Sequence, residues 1–117
     1  MRNPLVNYLR AQRKRVGLTQ KELAFLLGLT GEDAISKHEL FESVPPLITA
    51  FGYQTIFQVP VSELFAGLRE AVELSIQKQF TEFERKLLEE ARKSRNGRPS
   101  TALLHKLEWV KRQRASS

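Results

Sequence analysis

Residues 19–39 read Thr19-Gln20-Lys21-Glu22-Leu23-Ala24-Phe25-Leu26-Leu27-Gly28-Leu29-Thr30-Gly31-Glu32-Asp33-Ala34-Ile35-Ser36-Lys37-His38-Glu39, and this stretch decides the fold. Thr19 with Glu22 three residues on is a capping box, in which hydroxyl and carboxylate each take an N–H that a helix start leaves open. Leu23, Ala24, Leu26 and Leu27 recur at helical spacing and give this helix an apolar face, and Gly28 supplies the residue that ends it. Thr30, with Asp33 three residues on, is the candidate cap of a following helix over about residues 31–40. That helix buries Ile35 and His38 and turns Glu32, Asp33, Ser36 and Lys37 outward.

Upstream, Asn3-Pro4 reads as an N-cap followed by proline in the first helical turn. The helix it opens runs to about Arg15, with Leu5, Tyr8, Leu9 and Gln12 on one stripe, and Val16-Gly17-Leu18 closes it. Downstream, Val44-Pro45-Pro46 stops the chain and restarts it. Leu47, Ile48, Phe51, Ile56 and Phe57 then give a fourth helix of about eleven residues, interrupted by Gly52. Val59-Pro60-Val61-Ser62-Glu63-Leu64-Phe65 is a turn and a short fifth helix ending near Gly67. After Gly67 the apolar residues Leu68, Val72, Ile76, Phe80, Phe83, Leu87 and Ala91 form one stripe. A helix of roughly 28 residues, about 42 Å long, carries it. Asn96-Gly97 with Pro99 is a stop, Ser100 is the next N-cap, and Leu103, Leu104, Leu107 and Val110 define a last helix with a basic outer face. No period-two alternation persists long enough for paired strands, so the class is all-α. Residues 1–67 read as one helical domain, and residues 68–117 as a helical hairpin suited to core or dimer packing.

The chain has 117 residues, 19 of them Lys or Arg and 13 Asp or Glu, with a net charge of +6 and no cysteine. Disulfides and thiolate metal sites are therefore excluded. No apolar stretch approaches the ~18 residues of a membrane span. The amino terminus has no secretory apolar core, so a cytoplasmic location is the expectation. The charge is unevenly placed. Residues 1–21 hold six basic groups and no acid, residues 22–67 hold only Lys37 against six acids, and residues 92–117 hold eight basic groups against Glu108. Basic ends around an acidic middle point to a polyanionic partner met by the ends.

Three short helices with a tight turn between the second and third describe a helix-turn-helix. Thr19-Gln20-Lys21-Glu22-Leu23-Ala24, then Leu27-Gly28-Leu29-Thr30, Ile35-Ser36-Lys37 and Glu39, resemble the signature of Cro/cI-type (XRE-family) DNA-binding domains over about residues 5–66. Pro45-Pro46, the apolar fourth helix and Val59–Phe65 agree with that family's fourth and fifth helices. The resemblance implies a five-helix domain that binds double-stranded DNA as a homodimer and regulates transcription, of bacterial or mobile-element type. Gln20 would hydrogen-bond a phosphate. Thr30, Gly31, Glu32, Asp33, Ser36 and Lys37 would face the major groove. Lys37 would reach a guanine edge or a phosphate, Asp33 or Glu32 would accept from cytosine N4, and Ser36 pairs with either kind of edge. Lys21 and the cluster Arg13, Lys14 and Arg15 would attract phosphates whatever the sequence.

The chain departs from the family after Glu39. Where members commonly have a basic residue, a glycine and further basic residues, it has Leu40-Phe41-Glu42-Ser43-Val44. Leu40 and Phe41 are thus candidates for a protein-contact patch. They motivate the alternative of an adaptor or antitoxin-like module with a helix-turn-helix fold. A third expectation places non-specific binding in the basic tail. His38 and His105 have no ligand-like spacing, no phosphate-cradling loop or nucleophilic triad is visible, and neither an enzyme activity, a metal nor a cofactor is expected.

Overall fold

The computed structural model describes residues 7–94 and 98–115, which form seven helices and no strand. These are α1 (Leu9–Val16), α2 (Gln20–Leu26), α3 (Asp33–Glu39), α4 (Leu47–Phe57), α5 (Val61–Leu64), α6 (Ala66–Arg92) and α7 (Thr101–Ala115). The chain is all-α. It divides into two compact units between Ala71 and Val72. The expected boundary at Gly67 falls instead inside the first turn of α6, because α5 is a single turn and the next helix starts at Ala66.

Asn3-Pro4 and Asn96-Gly97 lie outside the described residues. The first described helix starts at Leu9, where the buried Asn7 acts as a local cap: its Oδ1 accepts the Leu9 N–H at 3.0 Å and its Nδ2 donates to the His38 carbonyl at 2.8 Å. Tyr8, placed on the apolar stripe by periodicity, therefore precedes the helix and is exposed, its N–H donating to the Leu64 carbonyl at 2.9 Å. The Thr19 capping box forms as the spacing predicts, with Glu22 N–H to Thr19 Oγ1 at 3.0 Å and Thr19 N–H to Glu22 Oε1 at 2.8 Å. Thr30 does not cap α3. The helix opens at Asp33 with Glu32 in the cap position and no side-chain hydrogen bond at its start.

Helices α1, α2 and α3 end in the same hydrogen-bond pattern. Gly17 (φ 88), Gly28 (φ 72) and Phe41 (φ 56) each take the left-handed conformation. In each case the next residue donates back over five positions: Leu18 to Arg13 at 3.1 Å, Leu29 to Ala24 at 2.9 Å and Glu42 to Lys37 at 2.8 Å. A side chain in that conformation costs about 1–2 kcal/mol. At Phe41 the ring offsets this by packing against the first unit's core. Phe41 is thus half-buried, and the expected exposed pair Leu40–Phe41 reduces to Leu40 alone.

That core comprises Leu9, Leu23, Ala24, Ile35, Tyr53, Phe57, Leu64 and Phe65. Each large side chain removed from water there contributes roughly 1.5–3 kcal/mol. Of the residues read as the apolar faces of α2 and α4, Leu26, Leu47, Ile48 and Phe51 are exposed instead, while Thr49, Ala50, Tyr53 and Phe57 form the buried side of α4. Gly52 lets α4 approach α2's end closely: a Cβ there would stand 2.5 Å from Leu27 Cδ2. Gln54 Oε1 accepts the Val61 N–H at 2.8 Å and so starts α5.

Besides the Asn7 bond to the His38 carbonyl, polar contacts of His38 and Glu39 hold α3 within this unit. His38 Nδ1 lies 2.7 Å from the Tyr53 hydroxyl, with the rings edge to face. Arg13 is only 9 % exposed and grips Glu39 with two bonds, Nε to Oε2 at 2.6 Å and Nη2 to Oε1 at 3.2 Å, while Nη1 donates to the Leu18 carbonyl at 3.0 Å. Gln20 Nε2 adds a bond to Glu39 Oε1 at 3.1 Å. The carboxylate holds the Arg13 guanidinium pKa above its ordinary value.

In the second unit, Leu87, Leu103, Leu107 and Val110 form a small core against which Phe80 and Ala91 pack. Ser100 caps α7, its Oγ accepting the Leu103 N–H at 3.1 Å. Trp109 meets Phe80 edge to face at 5.5 Å, and Arg114 bonds Glu84 at 2.7 Å. Within the expected stripes Val72, Ile76, Phe83 and Leu104 are exposed, so the apolar seam closes only at the end of α6 nearest α7 in sequence.

Removing the Glu39 carboxylate leaves a buried guanidinium unpaired, so Glu39→Ala should destabilise the first unit by about 3–5 kcal/mol in denaturant unfolding. The double variant Arg13→Met/Glu39→Leu should recover much of this loss, and equal losses in both would contradict the assignment. A separate outcome concerns pH. Burial pushes His38 below its ordinary value of 6.5, so the unfolded chain takes up this proton first. The contribution is complete above that value and is lost as pH falls through the folded one. Thermal melts should show a drop as pH falls below about 6.5 that is smaller in His38→Gln.

Candidate nucleic-acid interface

On α3, Asp33, Ser36, Lys37 and Leu40 follow at spacings of three, one and three residues and share a side, opposite the buried Ile35 and His38. Two shallow grooves adjoin that side. One is lined by Lys21 and Phe25 of α2 and by residues 30–33. It brings together five of the residues the sequence singles out: Lys21, Thr30, Gly31, Glu32 and Asp33, all of them exposed. The other lies over the Arg13–Glu39 pair and is edged by Arg10 and Lys14 of α1, Gln20 of α2, and Ser36 and Leu40. Gln20 and Ser36 are half-buried there, and Lys37 is exposed.

The charges differ from the sequence expectation at one position. Arg13 is no partner of Lys14 and Arg15 for phosphates, because its guanidinium is buried and satisfied by Glu39 and the Leu18 carbonyl. Arg10 takes the place expected of it: exposed one turn earlier on α1, it edges the groove with Lys14. Arg15 is exposed, with its Nε donating to Gln12. Gln20 commits one amide N–H to Glu39 and keeps a second donor. Among the acids, Glu39 is neutralised by Arg13, whereas Glu32 and Asp33 form no ion pair among the described residues.

One feature of the site, Arg10, lies beyond periodicity, and a second, Phe25, is within its reach. Arg10 carries no mark separating it from Arg13, since both fall in one basic run and only the tertiary position of Glu39 divides them. Phe25 is 81 % exposed beside Lys21, although it sits in a run of apolar residues. Its position one residue past Ala24 on the helical wheel is the signal that turns it outward. Among the described residues no group of three or more His, Asp or Glu is arranged to hold a metal ion, and no helix is long and apolar enough to cross a membrane. In comparisons with known proteins, the chain matches no family model, no curated protein and no solved structure.

Proposed function

We propose that the first unit is a Cro/cI-type helix-turn-helix domain that binds double-stranded DNA with sequence preference, and that the protein is a homodimeric transcriptional regulator. The observation that carries this reading is the outward side of α3. Asp33, Ser36 and Lys37 lie free of the core there, while the other side of the same short helix is fixed by Ile35, His38 and the Glu39 ion pair. A helix held rigidly on one side and polar on the other can enter a major groove without rearranging. Lys37 offers a donor to guanine or to phosphate, and Asp33 accepts from cytosine N4. Arg10, Lys14, Lys21 and Arg15 supply the attraction that does not depend on sequence. Two copies are needed because one such helix spans only a few base pairs.

A second reading is favoured by the unpaired Glu32 and Asp33 together with Leu40, which is 59 % exposed. It makes the same surface a protein-binding site in an adaptor or antitoxin-like module.

Salt titrations of binding to duplex DNA separate the two. A regulator should bind mixed-sequence DNA measurably at about 50 mM salt, and Lys14→Ala/Arg15→Ala should lower the slope of log K against log salt by roughly 2. Lys37→Ala should reduce preference for the cognate site by about 1–3 kcal/mol if it reads a base. Absence of affinity at low salt, with none of the variants altering it, would favour the adaptor.

A further inference from the structure

We infer that the outward face of α7 binds single-stranded nucleic acid, with an unpaired base stacked on the indole of Trp109. Trp109, the chain's single tryptophan, is 44 % exposed although it lies among charged residues. Its ring meets Phe80 edge to face at 5.5 Å, so the indole is held in place while much of it faces solvent. His105 and Lys106, one turn before it, and Arg112, one turn after it, are exposed and line a shallow groove with Trp109 and Glu108. A ring held between cations a turn to either side can take a base on its face and phosphates on its flanks.

The surroundings of the indole select among polyanionic partners. A duplex keeps its base faces stacked inside the helix, so it offers the ring no flat surface. The carboxylates of an acidic peptide would pair with Lys106 and Arg112 but would leave the ring without a stacking partner. A membrane surface would need the apolar side of the helix, and Leu103, Leu107 and Val110 are buried with Leu87 of α6. Glu108 argues for the same occupant. It repels a bare polyphosphate, whereas a stacked base brings amino groups from which a carboxylate accepts, as from cytosine N4. The site belongs to the second unit and does not rest on the function proposed for the first.

Fluorescence of Trp109 in the whole chain tests this directly. At about 50 mM salt an oligodeoxycytidylate of about 12 nucleotides should quench it. An abasic strand of equal length, polyglutamate and a duplex should not. Lys106→Ala/Arg112→Ala should weaken the quenching, whereas Lys14→Ala/Arg15→Ala, in the first unit, should leave it intact. In that Lys14/Arg15 background, Trp109→Leu keeps an apolar contact for Phe80 but no stacking face. It should weaken binding of the labelled strand about 5- to 100-fold with unchanged helical circular dichroism, and Trp109→Phe should retain most of the affinity. Equal quenching by the abasic strand or the duplex would overturn the inference, as would fluorescence that no strand alters. Equal quenching by polyglutamate would overturn it in favour of an acidic protein partner.

Discussion

The ion pair between Arg13 and Glu39 is the contact on which the first unit's arrangement depends. It joins α1 to the end of α3, and Gln20 ties the start of α2 to the same carboxylate. One buried anion thus ties together three short helices whose apolar residues Leu9, Leu23 and Ile35 meet in the same core. α2 and α3 have seven residues each, too short to be stable alone, so tertiary contacts must set their orientation. A buried pair of this kind adds little net stability over an apolar pair, but breaking one half of it is severe. Its consequence is geometric: α3 is held by its inner side and its last residue, and Asp33, Ser36 and Lys37 are left outward.

The same economy appears at the helix ends. Three successive helices stop with one left-handed residue and a back-donated N–H, twice with glycine and once with Phe41. The absent glycine after Glu39 therefore does not change the chain's path. Phe41 keeps the turn and adds a ring to the core, and in exchange the loop loses the positive charge that the resemblance leads one to expect there.

Features set by neighbours along the chain are legible in the sequence itself. The Thr19–Glu22 box, the Gly17 and Gly28 stops, the restart at Pro46 and the Ser100 cap each depend on residues within five positions of one another, and each forms. Features set by partners distant along the chain are not. Arg13 looks like Lys14 and Arg15 until Glu39 is brought beside it. Thr30 has the chemistry of a cap, yet Glu32 takes the cap position. On α4, apolar character gives no direction, because the core is filled by Thr49, Ala50 and Tyr53 while Leu47, Ile48 and Phe51 point away from it. The candidate site shows the same division: the residues themselves are identifiable from their spacing, whereas the separation of basic groups into buried Arg13 and exposed Arg10 and Lys14 is a tertiary fact.

Electrostatically, the outward side of α3 is poor in positive charge and its flanks are rich in it. In the proposed function, attraction from α1 and reading by α3 would be separate tasks, and Asp33 and Glu32 would discriminate partly by repelling phosphates at wrong registers. Selection of bound sequences from random duplex DNA by the whole chain puts this division of tasks to its sharpest trial. Enrichment of a two-fold symmetric site, with half-sites about one helical turn apart, is the expected result. Recovery of sequences no different from the starting pool would contradict it.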